Sequence, residues 1–212
     1  MEDLPKFRFS DKRSGKIVYV CYCFLNQNAK FPGISKWPGA VNEIVQPIMD
    51  SGVGLEQLPC LERLGWGGVS RSYAVNWSGD AEEKWVRSYW QLCKSEAEKA
   101  VDLMEDYIRS GYEVLGVLAM DGSPTCGFNI THKFPDFLTE RKKQGSKLDE
   151  IKLEEYGKAT PSKRQAGSGV FMGYVVEEIK RRGLRIPIIG FDSWGNLQEQ
   201  KLKILEKLKI CR

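Results

Sequence analysis

The sequence predicts an α/β protein with a three-layer, Rossmann-like open sheet, mostly parallel, and helices on both faces. Two observations predict this class. Short apolar segments rich in β-branched residues alternate with longer segments of helical periodicity, and glycines or turn residues separate them. Such alternation gives βαβ units, whose right-handed crossovers place helices on both faces of a parallel sheet. The 212 residues are the length of a single domain.

Four segments predict strands. The first is rich in β-branched and aromatic residues, and the third is apolar almost throughout, as a buried strand requires. The predicted strands cover residues 16–21, 55–58, 113–120 and 184–190.

Four further segments have apolar residues at helical spacing. Gly111 and Gly183 are predicted to end two of these helices, and Pro47 is predicted to kink or shorten the first. The predicted helices cover residues 40–50, 80 or 81 to 110, 170–182 and 197–208. The charged, lysine-rich stretch at about 131–164 is interpreted as an excursion from the single domain 1–212.

The bulk composition is that of an ordinary globular protein, with 42% apolar residues, 28% charged residues and a net charge of +4. No apolar run approaches the roughly 20 residues that span a bilayer, and residues 1–6 lack a signal core. We therefore expect a cytoplasmic protein without a membrane segment. Thiols stay reduced in the cytoplasm, so six cysteines indicate metal binding or catalysis more than disulfides, the alternative being small buried core residues.

Cysteines follow three of the predicted strands directly. Cys23 follows the first strand, Cys60 the second and Cys126 the third. Because the carboxyl ends of parallel strands meet at one edge of a sheet, these three side chains are predicted to converge. Cys21, within a strand, and Cys93, on a helix, are expected to be core residues instead.

Three thiolates are too few for a closed structural zinc site, which needs four ligands. Cys21, His132 or a carboxylate are candidates for the fourth position. A site with three protein ligands leaves one position open for a substrate. Soft thiolates around an open position suit either catalytic zinc or an iron–sulfur cluster with one iron that no residue binds.

Four segments resemble the motifs of one known protein family. Cys-Phe-Leu-Asn at 23–26 resembles the family's Cys-Leu-x-Gly, and Cys-Leu-Glu at 60–62 resembles its Cys-Pro-Glu. Ser-Pro-Thr-Cys-Gly at 123–127 resembles its Ser-Pro-Ser-Cys-Gly turn, the most specific match. Gly-Ser-Gly-Val-Phe at 167–171 resembles its Gly-x-Gly-Val-Phe segment. The chain thus resembles the 2-thiouracil desulfurase family over about residues 16–192.

This resemblance implies a [4Fe–4S] cluster held by Cys23, Cys60 and Cys126, with the fourth iron free to bind the sulfur of a substrate. It implies desulfuration, without net redox change, of a thiolated pyrimidine to its oxo form with release of sulfide. The substrate is then 2-thiouracil or a thiolated uridine in a nucleoside or tRNA. The family's catalytic glutamate and serine correspond to Glu56 and Ser123. These two residues and Glu62 also lie next to the cysteines in the sequence, and a carboxylate beside a metal site can act as a general acid or base.

The sequence departs from the family pattern at Asn26 and Leu61, where the family has glycine and proline, which leaves the substrate open. Trp66 and Tyr73 are candidates to stack on a pyrimidine. The basic segments 141–143 and 163–164 are candidates to contact tRNA phosphates. A different class of function is a non-catalytic zinc- or iron–sulfur-binding sensor or interaction protein, which stoichiometric zinc without visible colour would indicate.

Overall fold

A computed structural model describes residues 10–31, 33–69, 71, 80–132 and 163–210. Four parallel strands form its main sheet, namely β1 (Lys16–Cys21), β2 (Gly54–Leu58), β3 (Glu113–Asp121) and β6 (Ile188–Asp192). Their order in the sheet is β2-β1-β3-β6. A short antiparallel pair consists of β4 (Ile130–Thr131) and β5 (Gln165–Ala166). The α/β, Rossmann-like class predicted from the sequence is confirmed.

Helices connect these strands and pack against the sheet. They are α1 (Tyr22–Leu25), α2 (Asn42–Asp50), α3 (Leu61–Gly65), α4 (Asp80–Arg109), α5 (Val170–Arg181) and α6 (Leu197–Lys207), with a 3-10 turn at Gln27–Ala29. α4 packs against α5, whereas α2 packs against α6. The chain moves in opposite directions across the sheet from β1 to β2 and from β2 to β3, so right-handed crossovers put α2 and α4 on opposite faces.

α4 shows how an amphipathic pattern covers one face of the sheet. It is 30 residues long and its buried side chains recur every three or four positions. The buried set includes Tyr89, Cys93, Ala97, Val101 and Met104. Within the described ranges, no helix combines the length and the apolarity that crossing a bilayer requires.

The last strand starts later than predicted. We expected it from residue 184, but β6 begins at Ile188. Pro187 has no N–H group to donate, so regular pairing starts only after it. Its carbonyl accepts a hydrogen bond from Val117 N at 2.9 Å, and Gly116 lies so close that a Cβ atom there would be 2.9 Å from the Pro187 oxygen.

The sheet order creates a crevice between its two central strands. β1 continues to β2 on one side, whereas β3 continues to β6 on the other. The loops that leave the carboxyl ends of β1 and β3 therefore diverge to opposite faces. Ligands of open α/β sheets bind at this kind of switch point.

The two helices α4 and α5 are linked by a partly buried arginine. Arg182 donates to Glu178 at 3.1 Å and pairs with Asp102 and Glu105 on α4 at 2.5 and 3.0 Å. Its side chain is 13% exposed. Arg182→Ala is therefore expected to lower the free energy of unfolding by about 1 kcal/mol at neutral pH, measured by urea denaturation.

Acid should remove part of this difference. A hydrogen bond from Arg181 and, with a smaller effect, one from Arg182 lower the pKa of Glu178 below its ordinary value of 4.5. A carboxyl group whose pKa is lower in the folded state than in the unfolded state stabilises the fold. This stabilisation is complete at pH values above the unfolded-state pKa, and it is lost as the pH falls through the folded-state pKa. The difference in free energy of unfolding between Arg182→Ala and wild type should therefore become smaller below pH 4.5. Lys180→Ala removes one positive charge at an exposed position and is the matched control. An equal loss of unfolding free energy in that variant would contradict the stabilising role assigned to Arg182.

Candidate functional site

A cavity of about 100 Å³ lies beyond the carboxyl ends of the sheet. A single water molecule needs only about 10–15 Å³ of such space, so the cavity has room for a larger group. Loops that follow β1, β2, β3 and β6 line it. The structure places Cys23, Cys60 and Cys126 together in its wall, as the positions of the cysteines after three strands predict.

The three thiols influence one another electrostatically. The pKa of Cys23 is raised to about 12, mainly by burial and also by the neighbouring Cys126 and Cys60, although Lys30 opposes the shift. The pKa of Cys60 is raised to about 11, mainly by burial and also by Glu62 and Cys126. Three thiolates in one enclosed space repel each other and are poorly solvated. A cation bound between them would stabilise their ionised forms and would release their protons on binding.

Cys126 has a further thiol neighbour. A hydrogen bond with Cys21, followed by burial, raises the pKa of Cys126 well above its ordinary value. Cys21 is fully buried in β1, as expected for a core residue. Cys93 is also fully buried, in α4. Neither Cys21 nor Cys93 lines the cavity described here.

The turn before Cys126 is organised by the hydroxyl group of Ser123. Its Oγ accepts hydrogen bonds from the backbone N–H groups of Thr125 at 3.1 Å and Cys126 at 3.0 Å. The same hydroxyl donates to Glu62 Oε1 at 3.1 Å. Ser123 therefore fixes the backbone of one cysteine and orients a carboxylate that lines the same cavity.

The loop that follows Cys126 closes on Asp121 at the end of β3. Asp121 Oδ1 accepts hydrogen bonds from Phe128 N at 2.8 Å and Asn129 N at 2.9 Å, and Oδ2 accepts from Asn129 Nδ2 at 2.9 Å. A carboxylate that accepts several N–H groups is rigidly held. The Cys126 loop is thus anchored at both ends.

Glu56, predicted from the resemblance as the catalytic carboxylate, does not line this cavity. Its carboxylate accepts a hydrogen bond from Tyr107 of α4 at 3.4 Å. Side chains alternate between the two faces of a strand, and Glu56 lies two residues before β2 ends, on the face that α4 covers. The carboxylate that reaches the cavity is Glu62, two residues after Cys60 in the first turn of α3.

Two basic side chains in the wall were not among the residues predicted from the sequence. Lys30 lines the cavity, and burial lowers its pKa although the nearby Cys23 and Glu62 oppose that shift. Arg71 also lines it, with its side chain completely buried. Lys30 follows a 3-10 turn, and Arg71 follows a glycine-rich turn, so neither residue has a periodic pattern that would reveal its orientation.

The predicted aromatic residues have different positions. Trp66 is only 1% exposed and packs against Trp85 and Tyr89, although one part of it reaches the cavity wall. Tyr73 lies outside the described residues. Trp194, which the sequence did not single out, lines the cavity after β6 and is 39% exposed.

Of the two predicted basic segments, one lies outside the described residues and the other contributes to the cavity wall. Residues 141–143 lie outside the described ranges. Arg164 is not on a solvated face, because it lines the cavity and forms an ion pair with Asp192 at 2.7 Å. His132 also lines the cavity.

The spacing and the chemistry of the three thiols bear on which metal group they could hold. Among the described residues, no three His, Cys, Asp or Glu side chains stand close enough to bind one metal ion. In a four-iron cluster each thiolate binds a different iron, so the sulfurs must stand further apart than around a single ion. Three soft thiols on the wall of one cavity have the chemistry that such a cluster requires of its ligands.

Comparison with known proteins adds one distant relative. No protein-family model matches the chain. It is similar to a curated protein of Methanocaldococcus jannaschii named "Uncharacterized protein MJ0003", with 29% identity over 112 residues, or 52% of this chain and 67% of that protein. No solved structure matches the chain at a significant level.

Proposed function

We propose that this protein binds a [4Fe–4S] cluster through Cys23, Cys60 and Cys126 and removes sulfur from a thiolated pyrimidine, as the resemblance to the 2-thiouracil desulfurase family implies. The observation that carries the proposal is the cavity at the switch point. Three thiols and a serine–glutamate pair line it together. A soft-metal site beside a carboxylate and a hydroxyl has the parts that hydrolysis of a C=S group requires.

The reaction replaces a C=S double bond with C=O, and water supplies the oxygen. Sulfur leaves as sulfide, so no electrons are gained or lost. When bound, the cluster would supply an iron without a protein ligand, to which the soft sulfur of a thione binds in preference to oxygen.

Residues of this chain then carry out the proton transfers. Glu62 is oriented by Ser123, whose hydroxyl donates to Oε1 at 3.1 Å. Its Oε2 atom lies 3.7 Å from Nη2 of Arg71, so both carboxylate oxygens have a neighbour that restrains them. In this proposal Glu62 takes a proton from the attacking water and returns one to the departing sulfur. Ser123 holds Glu62 in place while its hydroxyl stays bound to the Cys126 turn.

The test compares two glutamates in protein reconstituted anaerobically with iron and sulfide. Glu62→Gln keeps an acceptor for Ser123 but no base, so turnover of the preferred thiolated substrate should fall about 100-fold or more with unchanged iron content. Glu56→Gln is the matched control, because Glu56 contacts Tyr107 and does not line the cavity. The assay compares 2-thiouracil, thiolated uridine and thiolated tRNA.

Two outcomes would count against the proposal. Stoichiometric zinc with no colour in the anaerobically purified protein would replace it with a zinc-binding function. If Glu56→Gln lost turnover and Glu62→Gln kept it, the roles assigned to the two carboxylates would be reversed.

A further inference from the structure

Arg71 is an arginine inside the cavity wall with no exposed side-chain surface. Its backbone is in the left-handed region, with φ of 56°. The guanidinium Nη1 donates to the carbonyls of Gly68 at 2.9 Å and Val69 at 3.3 Å, whereas Nη2 donates to the carbonyl of Ala29 at 2.5 Å. The planar fork therefore holds its own loop and a second loop together.

The second loop is the one that carries Cys23. Ala29 ends the 3-10 turn after α1, and Gln27 in that turn donates from Nε2 to the carbonyl of Cys23 at 2.6 Å. A bond from Arg71 to Ala29 thus restrains the segment that positions the first cysteine.

The same guanidinium also reaches the second cysteine. Nη2 of Arg71 lies 3.8 Å from Cys60 Sγ, the distance of a hydrogen bond to sulfur, and 3.7 Å from Glu62 Oε2. Its Nε atom is buried and has no hydrogen-bond partner within the described part of the chain. One side chain is therefore in contact with the loops that carry two of the three cysteines.

A buried guanidinium is costly unless negative charge is close to it. Glu62 lies beyond direct hydrogen-bond distance and also accepts the hydroxyl of Ser123. A metal-bound thiolate at Cys60 adds negative charge next to Nη2. N–H groups that donate to ligating sulfur are among the contacts through which proteins tune iron–sulfur centres.

We propose that Arg71 is a positioning residue of the cysteine site, which holds Cys60 as a metal-bound thiolate and ties it to the Cys23 loop. It thereby sets how firmly the metal group is retained and raises its reduction potential. This inference rests on the metal site of the proposed function and not on the desulfuration reaction.

The test uses anaerobically reconstituted full-length protein and two measurements, the rate of iron loss to a chelator and the reduction potential. Arg71→Met should lose iron about tenfold faster, because residues that orient metal ligands typically contribute at least that factor. Its potential should shift to more negative values, since a nearby positive charge favours the reduced state. Arg71→Lys keeps the charge without the fork, so it should lose iron faster than wild type while its potential stays close to the wild-type value.

Arg63→Met is the control for net charge. Arg63 is three residues from Cys60 but lies over the ring of Tyr22, at 4.7 Å, and does not line the cavity. It should match wild type in both measurements.

A wild-type rate of iron loss in Arg71→Met would overturn the inference. Faster iron loss in Arg71→Met with an unchanged reduction potential would also overturn it, because that combination is what a purely structural role of the side chain gives. If circular dichroism shows that Arg71→Met does not fold, Arg71→Lys decides, and a wild-type rate in that variant overturns the inference. A loaded wild-type protein without desulfurase activity would defeat the proposed reaction alone, whereas a wild-type chain that takes up no metal would overturn both proposals.

Discussion

Cys126→Ala is expected to abolish cluster assembly, and Cys23→Ala and Cys60→Ala should do the same. Each variant leaves two thiols in the cavity wall, and two thiolates leave half of a four-iron cluster without protein ligands. The measurement is iron and acid-labile sulfide per chain after anaerobic reconstitution, together with the visible spectrum. All three variants should be colourless and close to zero in both quantities.

Two cysteines that do not line the cavity provide the controls. Cys93→Ala removes a fully buried thiol from α4 and should keep the full iron content. Cys21→Ala removes the thiol that hydrogen-bonds to Cys126 and should also keep it. If Cys21→Ala lost the cluster while Cys23→Ala retained it, the ligand set would have to be reassigned.

Gly169→Ala should be strongly destabilising although Gly169 does not line the cavity. Gly169 is the residue before α5, and a Cβ atom there would lie 2.5–2.8 Å from the backbone C, O and N atoms of Thr125. Neither backbone can move away easily, because Gly169 N donates to Gly127 O and Val170 N donates to Pro124 O, both at 2.9 Å. We expect the free energy of unfolding to fall by about 2–3 kcal/mol, as for overpacking in a rigid interior.

The substitution should also displace the adjacent Cys126, so the variant that does fold should retain less iron than wild type. Gly173→Ala is the matched control one turn further along α5, where a Cβ atom meets nothing within 4 Å. It should be neutral or slightly stabilising, because alanine is favoured over glycine inside helices by roughly 1 kcal/mol. Equal unfolding midpoints for the two variants in urea would contradict the role assigned to the Gly169 contact.

The sequence predicted the fold and the convergence of the cysteines for one physical reason. Strand and helix periodicities are local, and parallel strands all present their carboxyl ends at one edge. Placing Cys23, Cys60 and Cys126 after three strands was therefore enough to bring them to the same cavity.

It was harder to predict which carboxylate, Glu56 or Glu62, lies in the cavity wall. A difference of a few residues along the chain decides whether a side chain lies beside the sheet or beyond its end. Glu56 is still within β2, whereas Glu62 is past the end of that strand, on α3. Arg71 could not be predicted at all. The role proposed for it depends on a left-handed backbone and on a contact with Ala29, 42 positions away, and neither has a local pattern.

The strand order β2-β1-β3-β6 also has a consequence for how the protein is made. During synthesis, β1 and β2 emerge first and can pair with each other, bringing Cys23 and Cys60 close together. The third cysteine takes its place only when β3 has been added on the other side of β1. A nascent chain therefore has only two of the three thiols in place until β3 pairs with β1. The cluster proposed for this site, which needs all three, would be held only after that pairing.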